Sequence, residues 1–316
     1  MASRSSALPT LPLAGGVRMP VVALGTGGFD NASAASAVQL ALAAGLTHVH
    51  TAFDYFNLPG VSRGLLASGL ARPSYFLTGM TSPCVHPAAP PTRNITDPSL
   101  CLATTAAEAR DALRLLGAHH FDLLLLHGPN ARFGSTEPCG RAACALNAAQ
   151  WRAYVSLLHA GVARAIGVSN YCASCLECLR TYQSSPVVMP AVNQIQLHVG
   201  SGADPEGLLS YCREHGIVVQ AYSPLASGGV VRDALCRSIG AKHNRTSAQV
   251  GIRWIFQNEA LAGNASIVVK ASSSKYIQQD LAFSDWALDD ADMKALNAAD
   301  SPKGQQGGRP SWGCGS

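Results

Sequence analysis

Charge is scarce in this chain, and several familiar signatures are missing altogether. Only 13% of the 316 residues are charged and the formal net charge is +4, too little for the basic face of a nucleic-acid binder or for attraction to an anionic membrane. No apolar run approaches the roughly 20 residues of a membrane span. The opening MASRSSALPTLPLAGG has no continuous apolar stretch and reads as a short arm rather than a secretory signal. No GxGxxG follows an early strand, which argues against an open dinucleotide-binding sheet. What remains is a globular composition, 47% hydrophobic, at a length that suits one closed α/β barrel.

Short apolar runs alternate with longer amphipathic ones. The strand-like segments are 21–25, 47–52, 74–79, 121–127, 163–169, 191–198, 217–223 and 266–270, each followed by a helical pattern. Strands that are apolar on both faces are expected in a parallel sheet covered by helices. Eight repeats at this length predict a single (β/α)8 barrel, class α/β. The expected division is an N-terminal arm over 1–15, the barrel over 16–300 and a C-terminal tail over 301–316. Long Pro-, Gly- and Cys-rich loops fall near 81–100 and 130–147. Several strands end in polar groups, at Ser169–Asn170, Gln194, Tyr222–Ser223 and Lys270. In a barrel such ends converge on one face.

Ten cysteines are many for such a chain. Cys172, Cys175 and Cys178 form CxxCxxC, but a spacing of three also places thiols on one helix face, and no fourth ligand stands at a recognisable distance. The expectation is therefore no metal and a reduced protein of the cytoplasm. Cys139 and Cys144 lie in the second loop and are close enough in sequence to pair under oxidation.

Six segments, in order and each at a strand, resemble the aldo-keto reductase family: MPVVALGTG, THVHTAFDYFN, FDLLLLHGP, ARAIGVSNY, AVNQIQLH and VVQAYSPLASG. The resemblance runs from about Gly16 to residue 300. It implies a nicotinamide cofactor, NADPH rather than NADH, bound without a Rossmann motif, and a small carbonyl compound as substrate. Neither nucleic acid nor a membrane is an expected partner, and the chain is expected as a monomer or as an oligomer whose size the sequence leaves open. Position by position, Ser169, Asn170 and Gln194 match the residues that hold the carboxamide, and Tyr222 the ring that stacks on the nicotinamide. Ser223 and Leu225 match contacts to the pyrophosphate, and Lys270 the cation beneath the 2′-phosphate. The phosphate end departs from the pattern. KASSSKYIQQD puts Tyr276, Gln279 and Asp280 where the family has arginine, glutamate and asparagine, with Lys275 and the serines 272–274 as substitutes.

The family's catalytic tetrad is half present. Tyr55 and His127 match the proton donor and the substrate-orienting histidine. His50 stands at the aspartate position and Met80 at the lysine position, and no lysine occurs between residues 50 and 120. Losing both members of a buried ion pair avoids the roughly 3–5 kcal/mol cost of stranding one. His50 has two readings: a cation replacing the lysine beside Tyr55, or a neutral, satisfied histidine. The pocket is expected to be open at Gly27 and Gly128, with Phe29, Phe56 and Trp312 as lining residues. The resemblance thus implies an NADP(H)-dependent oxidoreductase. The alternatives are a cofactor-binding pseudoenzyme with a structural or regulatory role, and a rewired activity using His50 and His127.

Overall fold

The computed structural model describes residues 8–86, 93–130, 139–182, 186–270 and 273–302. The chain opens with a hairpin, β1 (Thr10–Pro12) against β2 (Arg18–Pro20), whose first strand lies within the stretch expected as an arm. Then β3 (Val22–Gly25), α1 (Asn31–Ala43), β4 (His48–His50), α2 (Leu58–Ala67) and β5 (Phe76–Thr81) follow. The stretch after β5 carries a short hairpin, β6 (Val85–His86) with β7 (Arg93–Asn94), and α3 (Pro98–Leu116). Next come β8 (Leu123–Leu126), α4 (Arg141–His159), β9 (Ile166–Ser169), α5 (Ala173–Thr181), β10 (Val192–Gln196) and α6 (Leu208–Glu214). The last part is β11 (Val218–Tyr222), α7 (Gly229–Arg232), α8 (Ala234–His243), α9 (Ser247–Gln257), β12 (Ala265–Val269), α10 (Ser274–Leu281) and α11 (Asp290–Asn297).

The eight expected strands form a closed parallel barrel in the order β3-β4-β5-β8-β9-β10-β11-β12, closing back onto β3. Local signals set the helix ends. Asp30 caps α1 by accepting from the Ser33 N–H at 2.7 Å. Asp97 and Pro98 start α3, and Gly117, at φ 65°, ends it in the left-handed region. Thr246 and Gln249 form a reciprocal capping box on α9. Where α2 crosses α1, a Cβ on Gly60 would stand 2.2 Å from the Asn31 carbonyl oxygen, so only glycine permits that approach.

Two apolar layers result. One lies between strands and helices and includes Leu24, Val38, Trp151 and Trp254. The other fills the barrel's interior, where Met19, Phe76, Met80, Leu123, Leu125, Val192 and Val218 pack with Leu13 and Val17 of the opening hairpin. The hairpin therefore closes the end of the barrel opposite the strand C-termini. A buried carboxylate stitches that end. Asp122 accepts from Arg72 at 2.7 Å, Arg164 at 2.9 Å and the Leu77 N–H at 2.8 Å.

The cysteines correct the expectation of a fully reduced chain. Cys84 on the first loop pairs with Cys101 on α3, Cys139 with Cys175, and Cys144 with Cys178. Cys139 and Cys144 do not pair with each other, because α4 begins between them and turns both toward α5. Among the described residues Cys212 and Cys236 are free and buried. No helix among the described residues is long and apolar enough to cross a membrane.

Asp122→Ala would leave a buried N–H and two guanidinium groups without their acceptor. It is expected to cost about 2–3 kcal/mol, read as a lowered midpoint in urea at unchanged m-value, with Asp122→Asn costing less.

Candidate active site

The strand C-termini surround a cavity of about 460 Å³, lined among others by Gly27, His50, Tyr55, His127, Ser169, Asn170, Gln194, Tyr222, Ser223, Leu225, Lys270 and Asp280. Ten of the eleven residues singled out from the sequence meet there. Met80 does not. It sits on β5 opposite Leu125, almost fully buried in the interior apolar layer, and Tyr55 packs against that layer from above.

Tyr55 is placed by a single 3-10 turn, Phe53–Tyr55, that leaves β4 and ends at Phe56 in the left-handed region. Asn57 locks this turn to the loop after β3, its amide donating to the carbonyls of Thr26 and Phe29 at 2.8 and 2.9 Å. That brings Gly27 against the tyrosine ring. A Cβ there would stand 3.1 Å from Tyr55 Cζ, so the glycine makes room for the ring itself. Gly128, Phe29 and Phe56 are not among the lining residues. Phe56 is exposed, Phe29 lies beneath the Lys270 ammonium at 4.4 Å, and Trp312 is outside the described residues.

His50 is the neutral histidine of the two readings. Burial, followed by the neighbouring His48 and His127, pulls its pKa down to about 3, so it carries no cation at neutral pH. It is not satisfied, however: among the described residues neither ring nitrogen has a hydrogen-bond partner. Its ring centroid lies 6.4 Å from that of Tyr55. Burial and then the Asp54 carboxylate push the Tyr55 hydroxyl well above the usual phenol range.

The residue that sequence reasoning missed is Asp54. Its carboxylate lies 2.9 Å from His127 Nδ1 through both oxygens, and the His127 ring stands edge-on to Tyr55 with centroids 5.5 Å apart. The one signal available was its position directly before Tyr55. Asp280 had been noted only as a departure from the family pattern. It lies on the inner face of α10, where burial raises its carboxyl to about 7. Lys275 and Tyr276 lie on the exposed face of the same helix and do not line the cavity.

The donor set fits a dinucleotide. Asn170 is held by its own bonds to the His127 carbonyl and the Tyr222 hydroxyl, at 2.9 and 3.0 Å. Gln194 donates to Gln220 at 2.6 Å, and its Oε1 makes no hydrogen bond among the described residues. After β11 the backbone takes positive φ at Ser223, Ala226, Ser227 and Gly228. Such turns present N–H groups to anions, and Lys270 adds a cation on the same side of the cavity.

The comparisons with known proteins agree. The family model described as "Aldo/keto reductase family" matches residues 21–301. An aldo-keto reductase of Mycolicibacterium vanbaalenii is 32% identical over 296 residues, which cover 94% of either chain. Morphine 6-dehydrogenase of Pseudomonas putida is 31% identical over 308 residues, covering 93% of this chain and 92% of that protein. The crystal structure of an aldo/keto reductase from Brucella melitensis aligns with a TM-score of 0.73 at 28% identity, covering 92% of this chain and 98% of that one. With a parallel eight-stranded barrel and its polar rim already in place, this chain belongs to the aldo/keto reductase family.

Proposed function

We propose that the chain is an NADP(H)-dependent reductase of a small carbonyl compound, in which His127 backed by Asp54 delivers the proton. The observation that carries this reading is the Asp54–His127 contact, 2.9 Å long and beside Tyr55 on the wall of one cavity. Ser169, Asn170, Gln194 and Tyr222 would hold the nicotinamide end, Ser223, Leu225 and the turn after them the pyrophosphate, and Lys270 the 2′-phosphate. When bound, NADPH supplies the hydride. The carbonyl oxygen, gaining negative charge, is held between the Tyr55 hydroxyl and His127 Nε2. Asp54 fixes the imidazole through Nδ1 and aims Nε2 at the developing alkoxide, to which the proton passes. Tyr55 donates a hydrogen bond to the same oxygen but, with no cation to stabilise a phenolate, keeps its proton. The arrangement replaces the family's tyrosine–lysine–aspartate relay with a histidine–aspartate pair. A second reading, cofactor binding without turnover, draws on the neutral His50 and the thioether of Met80.

NADPH consumption across a panel of aldehydes, ketones and quinones tests the assignment. Asp54→Asn and His127→Gln are each expected to lower kcat by about 10²-fold or more, and Tyr55→Phe by less. Inactivity of Tyr55→Phe beside an unaffected Asp54→Asn would return the proton to the tyrosine. NADPH binding with no turnover on any substrate would favour the second reading.

Asp280 adds a pH dependence. Its folded pKa of about 7 lies above the ordinary carboxyl value of 3.8, so between the two the folded chain holds a proton that the unfolded chain has released. Its contribution to stability is therefore full below 3.8 and lost as pH rises through about 7. The ionised carboxylate also opposes a polyanionic cofactor. NADPH affinity, followed by fluorescence titration, is expected to fall as pH rises through about 7, and Asp280→Asn to flatten that profile. Parallel profiles for the two proteins would remove Asp280 from the account.

A further inference from the structure

Five cysteines converge beside the barrel mouth, outside the cofactor cavity. Cys139 and Cys144 flank the start of α4, and Cys172, Cys175 and Cys178 belong to the start of α5 and its first turns. Cys139 pairs with Cys175 and Cys144 with Cys178, with Cα atoms 5.3 Å apart in each case. The two pairs adjoin, because the Cys139 carbonyl oxygen lies 2.9 Å from Cys144 Sγ and 3.8 Å from Cys178 Sγ. Cys172 Sγ lies 3.6 Å from Cys175 Sγ. The spacing CxxCxxC lacked a fourth ligand in sequence, and the fold supplies it from another segment.

Both helices begin beside the cluster, and neither Gly140 nor Cys172 caps its helix with a side-chain hydrogen bond. Asn147 donates from Nδ2 to Cys139 Sγ at 3.6 Å, the kind of outer contact that orients a metal-bound sulfur. Cys175, in the main core, and Cys178 are both buried, where negative sulfurs need a cation to neutralise them. Four sulfurs from two short segments, with a fifth alongside, match the donor set of a closed tetrahedral zinc site.

We propose that the reduced chain binds one zinc ion through Cys139, Cys144, Cys175 and Cys178, with Cys172 beside them. The paired cysteines are the oxidised, metal-free form of the same cluster. Conversion takes two electrons and two protons per disulfide. With a phosphine as reductant, each phosphine becomes a phosphine oxide, its oxygen coming from water, and each disulfide yields two thiols. Zinc then displaces the thiol protons to solvent. The site joins the segment that follows His127 to the segment that follows Asn170, so the bound ion staples two walls of the mouth.

The full-length chain, reduced with tris(carboxyethyl)phosphine, incubated with zinc sulfate and desalted under argon, is expected to retain about one zinc per chain by elemental analysis. Cobalt chloride in place of zinc is expected to give intense sulfur-to-cobalt absorption bands. Cys139→Ser and Cys175→Ser should lose metal at least about tenfold. Cys212→Ser should keep it, as should His243→Ala, which breaks up the separate cluster of His243, Asp289 and Asp292. A reduced, folded wild-type chain without metal, or with metal but no sulfur-to-cobalt bands, overturns the proposal. So does metal lost by His243→Ala and kept by Cys175→Ser. Should either cysteine variant fail to fold, the wild-type cobalt spectrum decides alone.

Discussion

The pairing of β12 with β3 is the constraint on which the mouth of this barrel depends. Its register, Ile267 opposite Val22 and Val269 opposite Leu24, turns an open sheet into a closed one. Once closed, eight strands running the same way deliver their C-terminal residues to a single rim. Residues as distant in sequence as His50, His127, Asn170 and Lys270 then face one cavity. The same register sets Lys270 beside the loop after β3, where its ammonium lies over Phe29.

Within that rim, a single carboxylate, Asp54, sets the partner of His127. The family pattern puts an acid where this chain has His50, and a lysine where it has Met80. Here the acid stands four residues later, at Asp54, and serves His127 instead of a lysine. The exchange leaves the interior free of unpaired charge: Met80 joins the apolar layer, and His50 is neutral. It also leaves Tyr55 without the cation that would make it a ready acid. Charge is as scarce in the pocket as it is in the whole sequence: Asp54 contacts His127, and Lys270 lies over Phe29.

The barrel was legible because hydrophobic period and strand count report directly on which faces are buried. The residues that line the cavity were legible because most stand at strand ends, where the fold leaves little choice of direction. Asp54 was not, since a carboxylate beside a tyrosine says nothing about a histidine arriving from β8. The cysteines failed for a similar reason. Local spacing put Cys172, Cys175 and Cys178 on a helix, while Cys175 and Cys178 pair with Cys139, just before α4, and Cys144, on it, a tertiary contact that no periodicity encodes. The two loop stretches were read from their Pro and Gly content, yet β6–β7 and the starts of α3 and α4 fall within them. Burial overrode composition there, with Cys101 and Cys144 both turned into the interior.

The opening hairpin has a consequence for traffic. Leu13, Val17 and Met19 stopper one end of the barrel, so everything that enters must leave by the door it came through. On the proposed function, a carbonyl compound that settled first would block the passage of the larger dinucleotide behind it. One-ended access would then impose a queue: dinucleotide in before substrate, alcohol out before spent dinucleotide.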